Sequence, residues 1–263
     1  ILRNNYENLL AVAGYAELVI KPLFNSLPQE VDSVRFENWV EQLNAYRSEF
    51  WKHAQQALLA DETPLRPERV VHEFSKQLSK YGQPVNIMSD AGTSTPYMTR
   101  YLRLGNQNSK FIIPRAFGGL GSAIPAVVGA WFADKTVRPI GMFGDGSFNM
   151  TAGELETLVR MKVPALLMLF NNGCFGWIKG LHRLKGHEDC FGVDFIPPRG
   201  QALADAFDIK AWTATPPAEL IAALAEASLF DGPCLLDLRF VSRAVPVPPF
   251  SSRIATNAPR PLS

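Results

Sequence analysis

The sequence is poor in the features that mark several protein classes. It has three cysteines in 263 residues (Cys174, Cys190 and Cys234), and none forms a CxxC pair. That count argues against a disulfide scaffold or a zinc module and predicts a reduced, cytoplasmic protein. No run of about 18 apolar residues occurs, so no membrane span is expected. Lys plus Arg is 26 and Asp plus Glu is 25, for a net charge of +1. No global field then draws the chain to nucleic acid or to an anionic membrane. There is no GxGxxG after a first strand with an acidic residue about 20 positions on, which excludes a nicotinamide-binding unit. The chain opens on ILRNNYENLL, without Met and without a basic-then-apolar leader, and reads as if it begins in the middle of something.

What is present is a globular composition, 47% hydrophobic and 19% charged. LLAVA at 9–13 is a short apolar run of strand type, followed by a helical pattern to about Ser26 that Pro22 interrupts. Phe36, Trp39, Val40, Leu43, Tyr46, Phe50 and Trp51 recur at three-to-four spacing, which predicts an amphipathic helix to about Ala60. Residues 61–67 (DETPLRP) form a Pro-bracketed linker. Beyond it, helical patterns alternate with apolar runs. The expected strands are 85–88, 111–113, 137–143, 165–170 and 235–238. The expected helices are 67–80, 94–102, 119–132, 152–161, 201–207 and 217–229. Continuous apolar strands separated by helices predict an α/β fold, a parallel sheet covered by helices on both faces. The expected division is 1–60 as part of a second α/β domain, 61–240 as the main domain, and 241–263 as a tail.

The chemistry concentrates in two turns. Gly144-Asp145-Gly146-Ser147 follows an apolar strand and enters a helix, and Asn171-Asn172-Gly173-Cys174 follows the next strand. Twenty-four residues separate GDG from NN. Both turns are expected at carboxyl ends of parallel strands, where open α/β sheets bind ligands. Asp145 offers a carboxylate oxygen and Asn172 an amide oxygen, hard donors that suit Mg²⁺. The flanking glycines let backbone N–H groups approach a phosphate. Either turn alone reads more simply as a strand-to-helix connection; the pair, at this spacing, is far more specific.

The paired signature resembles that of the thiamine-diphosphate-dependent enzymes, in the branch holding acetolactate synthases and benzoylformate decarboxylases. The resemblance covers 63–239 well and 9–60 more loosely. It implies that Asp145, the Asn172 side chain and the Cys174 carbonyl hold Mg²⁺ against the cofactor diphosphate, and that Gly144, Gly146, Ser147 and Phe175 line it. Gly118-Gly119-Leu120-Gly121-Ser122-Ala123-Ile124-Pro125 resembles a second element of that branch. By similarity, Leu120 wedges beneath the bent cofactor and the Gly118 carbonyl accepts a hydrogen bond from its aminopyrimidine. Asp90-Ala91-Gly92-Thr93-Ser94 resembles a DxGxx loop, with Gly92 and Thr93 as phosphate contacts; an Asp or Ser helix cap is the competing reading. Trp177 either gates a substrate channel or is simply buried. His182 and His187 are expected in a basic loop. The Cys174 thiol is expected to be incidental to its carbonyl.

The same resemblance shows what these residues do not supply. The family's catalytic Glu lies on a pyrimidine-binding domain, and no catalytic residue is assigned to this chain. The implied partner is a second chain or domain carrying that half, in a hetero- or homo-oligomer, with a small 2-oxo acid as substrate. Three explanations remain open: one subunit of a split enzyme, the C-terminal portion of a longer protein, or a non-catalytic cofactor-binding subunit. The implied chemistry is acetolactate-synthase-like decarboxylation and carboligation, with benzoylformate-decarboxylase-like chemistry as the alternative.

Overall fold

The computed structural model describes residues 12–28, 34–187 and 189–240. The chain divides into two compact units, Ile1–His53 and Ala54–Ser263. The first contains α1 (Ala16–Ser26) and most of α2 (Val34–Leu58). Helix α1 continues through Pro22 and buries none of its residues. Most of the strand expected at 9–13 lies outside the described residues, and Val12 and Ala13 are not in a strand. The tail at 241–263 also lies outside them.

The second unit is built on six parallel strands: β1 (Val85–Ser89), β2 (Lys110–Ile112), β3 (Arg138–Gly144), β4 (Leu166–Asn171), β5 (Lys210–Ala214) and β6 (Cys234–Arg239). Their order is β2-β1-β3-β4-β6-β5. The helices around them are α3 (Pro67–Tyr81), α4 (Ser94–Tyr101), α5 (Ala123–Ala133), α6 (Asp145–Thr151), α7 (Leu155–Arg160), α8 (Gly176–Leu184), α9 (Gly200–Asp205) and α10 (Pro217–Leu229). The parallel sheet expected from the sequence is present, with apolar clusters on both faces. The side-chain period of two divides each strand between them. Ile140, Met142, Leu166, Met168, Phe170, Leu236 and Leu238 pack with Val70, Phe74 and Leu220 of α3 and α10. Phe143, Leu167, Leu169 and Leu235 pack with Val127, Leu155 and Ala204 of α5, α7 and α9.

Strand β5 is the one strand that the sequence reading does not contain. Its segment KAWTA lies at the sheet edge, with Lys210 exposed, Trp212 and Thr213 half-buried and only Ala211 and Ala214 buried. A short edge strand carries no continuous apolar run, so the pattern that reveals β3, β4 and β6 is missing there. The helix expected at 152–161 starts as a 3₁₀ turn at Ala152–Glu154, which follows α6, and is α-helical only over α7. His182 is corrected from loop to helix, since it lies in the last turn of α8, while His187 follows the helix. Their rings meet edge to face at 6.2 Å. Among the described residues, no helix is long and apolar enough to cross a membrane.

The chain order fixes where a ligand can enter. From β1 it passes to the β2 edge, then returns across to β3 on the other side of β1. The carboxyl ends of β1 and β3 therefore flank a topological switch point, which leaves a crevice. Close packing of α5 on β3 depends on Gly141, where a Cβ would lie 2.9 Å from Leu167 Cδ2 and 3.1 Å from Val127 Cγ2. Gly141→Val should overpack this buried layer and cost about 2 kcal/mol, measured as a lower urea midpoint at unchanged m-value.

Candidate functional site

Four segments meet at the carboxyl ends of β1, β3 and β4. They are Asp90–Thr93 after β1, the glycine turn Gly118–Ser122 before α5, Gly144–Ser147 at the β3–α6 junction, and Asn171–Gly176 between β4 and α8. Between them is a cleft of about 290 Å³, near the lower bound of small-molecule sites. Its walls include Gly92, Thr93, Gly118, Leu120, Gly144, Asp145, Gly146, Ser147, Cys174 and Phe175. Asn172 is the one candidate that stands outside the wall, half-buried beside it. Gly176, Trp177 and Ile178 line the cleft as well. Trp177 is half-buried and also faces a neighbouring cavity.

The hub of this arrangement is Asp90, a buried carboxylate at the end of β1. Its Oδ1 accepts the backbone N–H groups of Ser122 (2.8 Å) and Ala123 (3.0 Å) and the Ser122 hydroxyl (2.7 Å). Its Oδ2 accepts the Gly121 N–H at 3.2 Å and the Ser147 hydroxyl. Asp90 thus satisfies the open N-terminus of α5 from across the sheet. The helix-cap reading of this loop is corrected: α4 has no side-chain cap, and Asp90 caps α5, a helix more than 30 residues away. The sequence reading gave Asp90 no part in shaping the site, because a local cap is the only partner visible in sequence.

Glycine is required where these segments touch. Gly121 has φ +86°, and a Cβ there would lie 2.7 Å from Thr151 Cγ2. At Gly146 a Cβ would lie 2.4 Å from the Phe175 ring. The Phe175 ring is itself held edge to face by Phe195 at 5.0 Å. The Ser147 hydroxyl gives its proton to Asp90 and accepts the Gly121 N–H at 2.8 Å. In this arrangement Ser147 therefore offers a phosphate its backbone N–H in the first turn of α6, not its hydroxyl.

Asp145 is buried and heads α6. Its Oδ1 accepts the Gly146 N–H at 2.8 Å, and its Oδ2 accepts those of Asn172 (2.9 Å) and Gly173 (2.5 Å). Burial pushes its pKa up, opposed by the three backbone N–H groups. A cation beside it would remove that desolvation penalty. Asn172 turns its Oδ1 toward the Cys174 N–H at 3.4 Å. The Cys174 carbonyl accepts the Gly176 N–H at 2.8 Å, which leaves it a second lone pair. A carboxylate, an amide oxygen and a backbone carbonyl are the donors Mg²⁺ accepts, with phosphate and water completing its shell. Among the described residues, no group of three or more His, Cys, Asp or Glu side chains could cage a metal alone.

The Asn171–Gly176 loop is held from behind. Phe175 N–H donates to Val193 O at 2.9 Å and Phe195 N–H to Gly173 O at 3.0 Å. Asn171 Nδ2 donates to Asp237 Oδ1 at 2.9 Å. Asp237, fully buried on β6, also accepts the Gly200 N–H at 3.0 Å and an Arg239 N–H at 2.5 Å. The Cys174 thiol, by contrast, is buried and pushed up to about 11 by desolvation. Three units above pH 8, it is a thiolate in about one molecule per thousand. Alkylation with iodoacetamide at pH 8 should therefore label partly exposed Cys190 and spare Cys174 and Cys234, whose thiol is also pushed up to about 11. Labelling of Cys174 should rise about tenfold per pH unit up to its pKa, read by peptide mass spectrometry.

Residues 90–238 match the family model of the thiamine pyrophosphate enzyme, C-terminal TPP binding domain. The chain is 28% identical over 242 residues to a probable acetolactate synthase large subunit of Methanococcus aeolicus, covering 86% of this chain and 39% of that one. It is 29% identical over 219 residues to the mitochondrial acetolactate synthase catalytic subunit of Saccharomyces cerevisiae, covering 80% and 30%. It is 29% identical over 187 residues to benzoylformate decarboxylase of Pseudomonas aeruginosa, covering 69% and 34%. The chain thus spans between 30% and 39% of the length of these relatives. With Asp90 at the first matched position and both the GDG and NN turns inside the match, the chain belongs to the thiamine pyrophosphate enzyme family, as its C-terminal TPP-binding domain.

Proposed function

We propose that this chain is the diphosphate- and Mg²⁺-binding half of a thiamine-diphosphate-dependent enzyme acting on 2-oxo acids. The observation that supports it best is the position of Asp145. A buried carboxylate, anchored by the N–H groups of the NN loop, faces a glycine-lined cleft at the switch point of the sheet. In this reading Asp145, the Asn172 amide oxygen and the Cys174 carbonyl hold Mg²⁺. The backbones of Gly92, Thr93, Gly144, Gly146 and Ser147 lie along the diphosphate, with Phe175 behind them. Leu120 and the Gly118 carbonyl support the rest of the cofactor. When bound, thiamine diphosphate supplies the electron sink for cleaving the carbon–carbon bond next to a 2-oxo group.

The chain's own residues bind and orient; they do not relay protons. Among the described residues Asp145 is the only acid lining the cleft, and its carboxylate is already taken up by backbone donors. The carboxylate needed at the pyrimidine ring then comes from a partner domain or second chain. The division of the chain into 1–60, 61–240 and 241–263 is part of this proposal. Carboligation of the acetolactate-synthase type is the first reading, after the similarity to those enzymes. Decarboxylation without ligation, as in benzoylformate decarboxylase, is the second, after a relative of equal identity.

Titration calorimetry and thermal shift test the proposal. Thiamine diphosphate with Mg²⁺ should bind this chain weakly and raise its Tm only at high concentration, since only one side of the cofactor is covered. Asp145→Ala should remove the Mg²⁺-dependent part of the shift. An equal shift in that variant, or tight binding by the chain alone, would sink the half-site reading. Mixing with the partner chain should then give 2-oxo-acid consumption, and product analysis separates ligation from simple decarboxylation.

A further inference from the structure

We propose that Asp194, held by Lys179, is a positioning residue that sets the affinity of the site for Mg²⁺. This rests on the cofactor reading above, in which the loop Asn171–Gly176 carries two of the three metal donors, the Asn172 amide oxygen and the Cys174 carbonyl. One side of that loop is held by Asp145, which accepts the N–H groups of Asn172 and Gly173. The other side is held by residues 193–195. Phe175 N–H donates to Val193 O at 2.9 Å and Phe195 N–H to Gly173 O at 3.0 Å. Cys174 and Asp194 therefore face each other as an isolated antiparallel bridge. Asp194 Oδ1 accepts a hydrogen bond from Lys179 Nζ at 2.5 Å. Lys179 lies in the first turn of α8, and its own N–H donates to Phe175 O at 3.0 Å. The residue opposite Cys174 is thus tied to the helix that follows Cys174, which closes a ring around the metal loop.

Among the described residues, little else fixes 193–195. Val193 is buried and the Phe195 ring meets Phe175, but Phe191 and Ile196 on either side are almost fully exposed. A ladder of two hydrogen bonds with so few apolar contacts opens easily unless a further contact holds it. The ion pair is placed to do so, with the Lys179 side chain 12% exposed and that of Asp194 59% exposed. Its two ends are unequal. Removing the carboxylate leaves a shielded ammonium beside the loop without its counter-charge, whereas removing the ammonium leaves a carboxylate that water can solvate. Both removals free the loop, yet they change the local charge in opposite directions. A purely electrostatic role would move Mg²⁺ affinity up in one variant and down in the other. A positioning role moves it down in both.

The probe is Mn²⁺, which takes the same oxygen donors as Mg²⁺. It is titrated into the full chain with thiamine diphosphate and followed by water-proton relaxation, which reads weak sites. Groups that orient metal ligands typically carry about 10-fold or more of metal affinity. Asp194→Asn should therefore raise the Mn²⁺ half-saturation by about 10-fold. Lys179→Met should move it in the same direction by less, and Lys179→Arg, which keeps the pair, should stay near wild type. The double variant should bind no more weakly than Asp194→Asn alone. Without metal or cofactor, hydrogen exchange at the Phe175 and Phe195 amides should quicken in Asp194→Asn while the amides of β4 stay protected. If Asp194→Asn does not fold, Lys179→Met carries both measurements. Unchanged half-saturation in the single variants, shifts of opposite sign, or a lower Tm with unaltered half-saturation would each overturn the positioning role. So would unchanged exchange at Phe175 and Phe195. Asp145→Ala, measured in parallel, should abolish the Mn²⁺ response. A wild-type chain without thiamine-diphosphate-dependent Mn²⁺ binding brings down the cofactor reading and this proposal with it; wild-type binding with unmoved variants brings down this proposal alone.

Discussion

The structure depends on one buried carboxylate. Asp90, at the end of β1, accepts hydrogen bonds from Gly121, Ser122, Ala123 and Ser147. These donors come from the glycine turn before α5 and from α6 after β3. An unpaired carboxylate in this position would be costly to bury. Fully bonded, it clamps together the turn carrying Gly118 and Leu120 and the turn carrying Asp145. The Gly121 N–H also donates to the Ser147 hydroxyl at 2.8 Å, so the two turns meet directly as well as through Asp90. The cleft exists because the charge of Asp90 is satisfied by the segments that line it.

The same device recurs at the other end of the site. Asp237, buried on β6, accepts the first N–H of α9 at Gly200 and holds the Asn171 amide. A Cβ at Gly200 would lie 2.9 Å from that carboxylate, so glycine is needed there for the approach. Asn171 and Asn172 consequently have different tasks despite being adjacent. Asn171 donates to Asp237 and Pro198 O and fixes the loop; Asn172 lies half-buried beside the cleft. Asp145 completes the series, with its carboxylate on the loop that carries Asn172. Three buried acids thus accept first-turn N–H groups of α5, α6 and α9, helices whose own N-cap residues make no side-chain cap.

Much of the fold was legible because the inner strands are buried on both faces. Segments such as Leu166–Phe170 must be apolar at every position to lie between two helical layers, and a continuous apolar run is visible without any structure. The edge strand β5 buries only Ala211 and Ala214 and leaves no such trace. The 3₁₀ turn between α6 and α7 contains Gly153, a poor helix former, but the sequence reading carries the helix through it from Ala152. His182 read as loop because the basic residues around it mask the amphipathic face of α8.

The sequence by itself determined the chemistry of the site: GDG and NN at a fixed separation, glycines where backbone must approach a ligand, and hard oxygen donors on two successive strand ends. These are local properties, and covalent spacing sets them. Only the tertiary structure decided which groups meet. It turned Asp90 from a local cap into the clamp of a distant helix, bound the Ser147 hydroxyl to Asp90, and buried the Cys174 thiol. Those outcomes depend on strand order and register, which bring residues tens of positions apart within hydrogen-bond reach, and no spacing along the chain encodes that distance.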